Sequence, residues 1–310
     1  MRLPLAALLM VCGIAVPLVV SEFWTFIAIE VLVFALYASS FNLLLGYGGM
    51  LSFGHAAFFG VGGYATALLV KKGGLSVGLA LVGAPLAAAA VATVIGYFCV
   101  RRSGIYFAML TFACQMLLYT IALKASGLTG GDDGITGIRP TGILSNSIAY
   151  YYFTLFLVGM ALYLMWRLVN SPFGYALRAL RTNPGRLRYV GVPVRAHQWV
   201  TFVIAGGLAG LAGGLFALSI GSIFPSWLNW TASATPVVMA VLGGLHSFVG
   251  PMLGAAVYVI LEVVISGHTE YWPLAMGCII LVLVLVLPEG LTGWRSLQAR
   301  LRPFGGSGGR

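Results

Sequence analysis

Charge is what this sequence most lacks. Charged residues make up 8% of the 310 positions, and only seven of them are acidic. A soluble globule of this length would need far more polar surface to cover itself. With 60% hydrophobic residues and a mean hydropathy of +0.99, the chain is expected to be an all-α polytopic membrane protein. Lysine is scarcer still: Lys71, Lys72 and Lys124 are the whole supply, and none follows a glycine. A Walker A loop ends in Gly-Lys followed by Ser or Thr, so no nucleotide site of that kind is written here. The four cysteines, Cys12, Cys99, Cys114 and Cys278, lie in apolar runs without CxxC or His-rich spacing. They read as packing residues, and neither a disulfide nor a metal nor any other cofactor is expected. No cluster of His, Asp, Glu or Cys has catalytic spacing, which disfavours an intramembrane enzyme. The net charge of +10 would point to nucleic acid in a soluble chain. Here it bears on membrane orientation instead, and no nucleic-acid partner is expected.

What is present is a succession of apolar segments. About 20 residues cross a roughly 30 Å hydrocarbon core, so residues 3–20, 23–45, 75–100, 105–123, 150–169, 199–220 and 272–287 all read as spans. The first follows Arg2 like a signal peptide, but Val19-Val20-Ser21-Glu22 is a poor cleavage site, and an uncleaved helix is expected. Residues 56–70 are short and glycine-interrupted, hence tilted, broken or partly re-entrant. Residues 232–245 and 252–265 together would make one helix of about 50 Å, too long for a single crossing, and read as two. Residues 1–310 then form one transmembrane domain of about ten helices with glycine-broken short segments. Nine crossings result if 56–70 does not span.

The basic residues orient this arrangement. With the amino terminus inside, Arg2, Arg101, Arg102, the arginines of residues 167–197 and Arg295, Arg300, Arg302 and Arg310 of the tail at 289–310 all fall on the cytoplasmic side. Only Lys71, Lys72, Lys124 and Arg139 remain outside, as expected when positive loops resist translocation.

Residues 167–197 are the one long hydrophilic interval. They carry Arg167, Arg178, Arg181, Arg186, Arg188 and Arg195 and no acid. Ser171 before Pro172 and Asn183 before Pro184 each combine a capping residue with a proline suited to the first helical position. Two short helices outside the bilayer are expected. In the first, Ala176, Leu177, Ala179 and Leu180 would form an apolar face and Arg178 and Arg181 a polar one. Membrane lipid is one partner such a segment could meet.

A second feature is the glycine-rich run from Asn42 to His55, with Gly46, Gly48, Gly49 and Gly54 closely spaced. Glycine permits positive φ and close helix approach, and Asn42, Ser52 and His55 can satisfy backbone groups freed at a break. Small-residue packing and a transport gate both remain open readings. Tyr106 and Gln115, in the span beginning at residue 105, join Asn42, Gly48, Gly49, Ser52 and His55 as candidates for the pathway or gate. A weak echo occurs where Gly243-Gly244-Leu245-His246-Ser247-Phe248 repeats the pattern of residues 48–53. The ionisable groups within apolar segments are few: Glu30, Glu262, His55 and His246.

Four stretches taken together, NLLLGYGGMLSFGHAAFFGVGGYATALL, RRSGIYFAMLTFACQ, LTGGDDGITGI and SPFGYALRALRTN, resemble the LivM-type permease subunits of ABC importers for branched-chain amino acids. The resemblance covers essentially the whole chain and implies a bacterial inner-membrane subunit that imports such amino acids. It implies a second related permease subunit, two cytoplasmic ATPase subunits that bind the ATP, and a periplasmic substrate-binding protein. The interval 167–197 would be the coupling loop that docks on an ATPase, through Ser171, Pro172, Phe173, Gly174, Leu177, Arg178, Leu180, Arg181, Asn183 and Gly191. Pro184-Gly185-Arg186-Leu187-Arg188 departs from the family's usual acidic, alanine-containing turn, which implies a partner with a more acidic cleft. Thr129, Gly130, Gly131, Asp132 and Asp133 would meet the binding protein. Related permeases handle urea, short amides or aromatic acids, and an ion-coupled carrier acting alone is the alternative from a different class.

Overall fold

A computed structural model describes residues 17, 21–140, 142–287 and 290–293. The candidate first crossing at 3–20 and most of the tail at 289–310 lie outside the described residues. The rest is almost wholly helical: α1 Glu22–Asn42, α2 His55–Lys71, α3 Val77–Cys99, α4 Ile105–Lys124, α5 Ser147–Val169, α6 Pro172–Thr182, α7 Pro184–Tyr189, α8 Val194–Ile220, α9 Trp230–Gly243, α10 Gly250–Ser266 and α11 Trp272–Val286. Helix α1 with its extension to Tyr47, α3, α4, α5 and α8 are long and apolar enough to cross a membrane. The stretch 232–265 is two helices, α9 and α10, separated by the turn at 244–249.

Local chemistry sets the boundaries. Asn146 caps α5 by accepting from the Ile148 amide at 2.9 Å, and Asn229 caps α9 by accepting from Trp230 at 2.6 Å. Gly221, at φ +76°, ends α8 in the left-handed conformation that other residues avoid.

Helices α1 and α8 form the buried centre, with α2 and α3 packed along α8 and α5, α9 and α10 around α1. Lipid supplies no hydrophobic drive between helices, so close packing must hold them. A stripe of Gly206, Gly210, Gly213 and Gly214 on α8 lets α2 approach at backbone distance: a β-carbon on Gly213 would overlap the Phe59 carbonyl, and one on Gly62 the backbone of Gly210. Phe34, Phe59, Phe216 and Trp227 fill the space beside this seam, the last two rings 4.7 Å apart. Large apolar side chains such as Leu86, Phe98, Leu117, Phe156 and Leu285 face outward, as a lipid-bathed belt requires.

At the end opposite the basic interval, the strands β1 (Ile135–Thr136) and β2 (Ser222–Ile223) pair antiparallel. Lys71 Nζ donates to the Thr136 carbonyl at 2.9 Å and Lys72 Nζ to that of Gly127 at 2.8 Å, tying the segments at this end to the end of α2.

Candidate functional site: a broken helical hairpin and a basic helix

Helix α1 does not stop at Asn42. It widens into a π turn, Leu43–Tyr47, from which the amides of Gly48, Gly49 and Met50 reach back to the carbonyls of Leu43, Leu45 and Leu44. Gly49 takes φ +67° and turns the chain back into the protein. Helix α2 therefore starts inside the molecule, at a fully buried His55.

A buried helix start must have its amides satisfied from elsewhere. Here three hydroxyls do so: Ser233 accepts from Ala56 N at 2.9 Å, Ser52 from Gly54 N at 3.3 Å and Thr111 from Phe53 N at 3.2 Å. Ser233 passes its own hydrogen to Gln115 Oε1 at 2.8 Å, and Gln115 Nε2 donates to the Leu228 carbonyl at 2.9 Å. Ser40 Oγ donates to the Tyr37 carbonyl at 2.7 Å, so its 2.8 Å contact with His55 Nε2 is one in which the imidazole donates. That leaves His55 Nδ1 a buried lone pair without a partner, while the ring stacks on Tyr37 with centroids 5.4 Å apart.

Gln115 stands ten residues into α4, about 15 Å along its axis. At that level Ser233, three residues into α9, meets Ala56 at the start of α2, the two helices having 14 and 17 residues. Their N-termini carry the positive ends of the backbone dipoles. The amides of Phe53, Gly54 and Ala56 at the start of α2 are taken by Thr111, Ser52 and Ser233, and that of Trp230 by Asn229.

The basic interval supplies the second part. Pro172 and Pro184 begin α6 and α7 as their position predicts, and Asn183 caps α7 by accepting from Arg186 N at 3.1 Å. Ser171 occupies the cap position of α6 but does not cap: its hydroxyl donates back to the Leu168 carbonyl at 2.6 Å. The buried face of α6 is Gly174, Leu177 and Leu180. Ala179 is exposed and Ala176 half-buried, which corrects the expected apolar face by one step around the helix. Gly174 rests on the Val169 carbonyl, and Phe173 stacks on His197 at 5.1 Å, joining α6 to the start of α8.

Helix α6 lies directly under the break. Leu177 Cδ1 would be 3.4 Å from a β-carbon at Gly48, and Arg181 Nη1 donates to the Gly46 carbonyl at 2.6 Å. Arg178 donates to the Val169 carbonyl at 3.2 Å, its guanidinium 5.3 Å from the ring centres of Tyr47 and Tyr175. Beyond it, Arg186, Arg188, Tyr189 and Val190 are exposed around Gly191, the glycine at φ +83°.

The structure thus brings Asn42, Gly48, Gly49, Ser52, His55 and Gln115 around one break. Asn42 Nδ2 lies 3.4 Å from the Ser247 carbonyl, and its Oδ1 is buried without a partner. Tyr106 does not join them; it is 74% exposed at the start of α4. Among residues 129–133, Gly130, Asp132 and Asp133 are exposed, whereas Thr129 and Gly131 are buried. Thr129 Oγ1 lies 2.6 Å from the Ala122 carbonyl, so it holds the loop rather than presenting itself.

Sequence reading missed Ser40, Thr111 and Ser233, whose only mark is a lone hydroxyl in an apolar helix. It also missed a cavity of about 440 Å³ at the basic end, between Gly49–Phe53, the turn carrying Arg102 and Ser103, and Gln198 on α8.

With this geometry in view, the relatives are informative. Residues 23–287 match the family described as branched-chain amino acid transport system / permease component. The high-affinity branched-chain amino acid transport system permease protein LivM of Escherichia coli K12 is 29% identical over 95% of this chain and 76% of its own length. The corresponding LivH of the same organism is 26% identical over 84% of this chain and 91% of its own. A probable LivM of Methanocaldococcus jannaschii is 26% identical over 81% and 84%. No solved structure matches significantly. The chain belongs to the permease-component family of branched-chain amino acid transport systems.

Proposed function

We propose that this protein is one membrane half of an ATP-driven importer for branched-chain or closely related hydrophobic amino acids. It is a single transmembrane domain of about ten crossings in the bacterial inner membrane, with the basic interval and tail inside. A second related permease subunit completes the pathway, two separate ATPases bind the ATP, and a substrate-binding protein delivers the amino acid at the opposite end, near Gly130, Asp132 and Asp133. The family match and the LivM and LivH relatives support the importer reading.

The observation that carries it is the seat of α6. A polar, arginine-bearing helix outside the apolar belt inserts Leu177 against Gly48 and grips the Gly46 carbonyl with Arg181. A push on α6 from an ATPase therefore acts on the π turn, and through residues 48–54 on the start of α2. There Ser52, Thr111, Ser233 and Gln115 hold the chain by hydroxyl and amide contacts that exchange at small displacement. The exposed Arg186, Arg188 and Tyr189 extend the docking face and suit an acidic cleft on the ATPase.

Reversing the charges, Arg178→Glu with Arg181→Glu, is expected to uncouple ATP hydrolysis from leucine uptake while membrane insertion is retained. A wild-type ratio of ATP hydrolysed to leucine imported in reconstituted liposomes would sink this reading.

A further inference from the structure

We propose that Arg181 and His246 form a latch that ties the basic helix α6 to both broken hairpins at once, which makes the turn between α9 and α10 a second arm of the coupling machinery. The inference rests on the importer reading above and adds a residue to it. While Arg181 Nη1 donates to the Gly46 carbonyl of the first hairpin at 2.6 Å, Nη2 of the same guanidinium lies 2.8 Å from His246 Nε2 in the second. The stem of Arg181 crosses Gly49, where a β-carbon would come within 3.1 Å of its Cγ.

The hairpins also meet without Arg181. Asn42 Nδ2 lies 3.4 Å from the Ser247 carbonyl, and the missing side chain of Gly46 leaves room for the Leu245 carbonyl. The turn is held from its other side by Thr292, whose hydroxyl donates to the Gly243 carbonyl at 3.0 Å. Because the two acceptors sit on opposite nitrogens of one rigid planar group, α6 cannot shift relative to one hairpin without loading the other. Lysine, a single point donor on a flexible stem, would not reproduce this.

The chemistry fixes the protonation state. A guanidinium has donors only, so His246 Nε2 must present its lone pair and carry its proton on Nδ1. An imidazolium would lose the acceptor and set two like charges at hydrogen-bond distance. Arg181 is the charged group that faces His246 from α6, while Arg178 is turned to Tyr47 and Tyr175. Neither α9 nor residues 43–54 carry any charged residue, and Glu262 of α10 lies twelve residues from its start, about 18 Å away along the axis.

The test uses the complete complex, meaning both permease subunits, the ATPases and the binding protein, in liposomes with labelled leucine. His246→Ala is expected to raise the ATP hydrolysed per leucine severalfold, as for loss of one solvent-exposed charge-assisted hydrogen bond. His246→Gln keeps a carbonyl acceptor at this position. It is expected to restore near wild-type coupling, because its side-chain oxygen can still accept from Arg181. Spin labels at Thr182 and Leu253 report without transport: a narrow distance distribution in the wild type and His246→Gln, a broad one in His246→Ala. Wild-type coupling and distances in His246→Ala, or a glutamine variant as defective as alanine, would overturn the latch. If the wild-type complex shows no ATP-stimulated uptake, the importer reading itself fails, a result visible before any variant is made.

Discussion

Ser233 is the residue on which three elements of the site converge, and replacing it with alanine isolates its contribution. The side chain is 1% exposed, and Gln115 and Ala56, its two partners, are fully buried. Ser233→Ala removes a hydroxyl that accepts from the Ala56 amide at 2.9 Å and donates to Gln115 Oε1 at 2.8 Å. The first contact acts as an N-cap supplied by another helix, worth about 0.5–2 kcal/mol. The second is an interhelical hydrogen bond within the apolar region, where measured couplings average about 0.6 kcal/mol and reach about 1.7. Their sum is about 1–4 kcal/mol, with no offset from a cavity because only one oxygen is lost. Reversible unfolding of the purified chain in mixed micelles of increasing SDS content measures it. Ser233→Thr, which keeps the hydroxyl, is expected to recover most of the loss. A change below about 0.5 kcal/mol for alanine would mean that the Ala56 amide and Gln115 are satisfied without Ser233, and the account of how α2 starts inside the protein would be wrong.

Two further expectations use other parts of the molecule. Gly213→Ala would drive a β-carbon into the Phe59 carbonyl and is expected to cost about 1–3 kcal/mol, whereas Gly159→Ala, with open space around it, should change stability by less than about 0.5 kcal/mol in the same unfolding assay. Lysine at both Asp132 and Asp133 is expected to weaken capture of the binding protein severalfold at low salt and less at high salt, as surface-plasmon binding to the reconstituted complex would register; salt-independent binding would remove these residues from the docking surface.

Much of this was legible from local pattern. Pro172 and Pro184, each behind a polar residue, mark the starts of α6 and α7 because proline's fixed φ and missing amide suit a first helical position. The division of 232–265 into two helices followed from length alone. Ser171 shows the limit of that logic, since its hydroxyl had two local partners available and took the Leu168 carbonyl behind it. Ala179 was assigned to the wrong face because Gly174, which has no side chain to count, is what actually lies against the protein. Tyr106, grouped with the pathway candidates, is 74% exposed at the start of α4, as apolar content does not distinguish an exposed position from a buried one in a membrane helix. The contacts that define the site join residues far apart in sequence: Gln115 with Ser233, Arg181 with Gly46 and with His246. No periodicity encodes those pairings; only the packing of α4 and α6 against α9 and the turns that follow α1 and α9 does.

The energy source is the claim on which everything else depends. Labelled leucine uptake into liposomes holding both permease subunits decides it when measured with the ATPases and ATP present, and again without them under an imposed proton or sodium gradient. Accumulation that requires ATP and its hydrolysis, and that vanishes under either gradient alone, is the result expected. Gradient-driven accumulation with no ATPase present would contradict the account and make this protein a carrier in its own right.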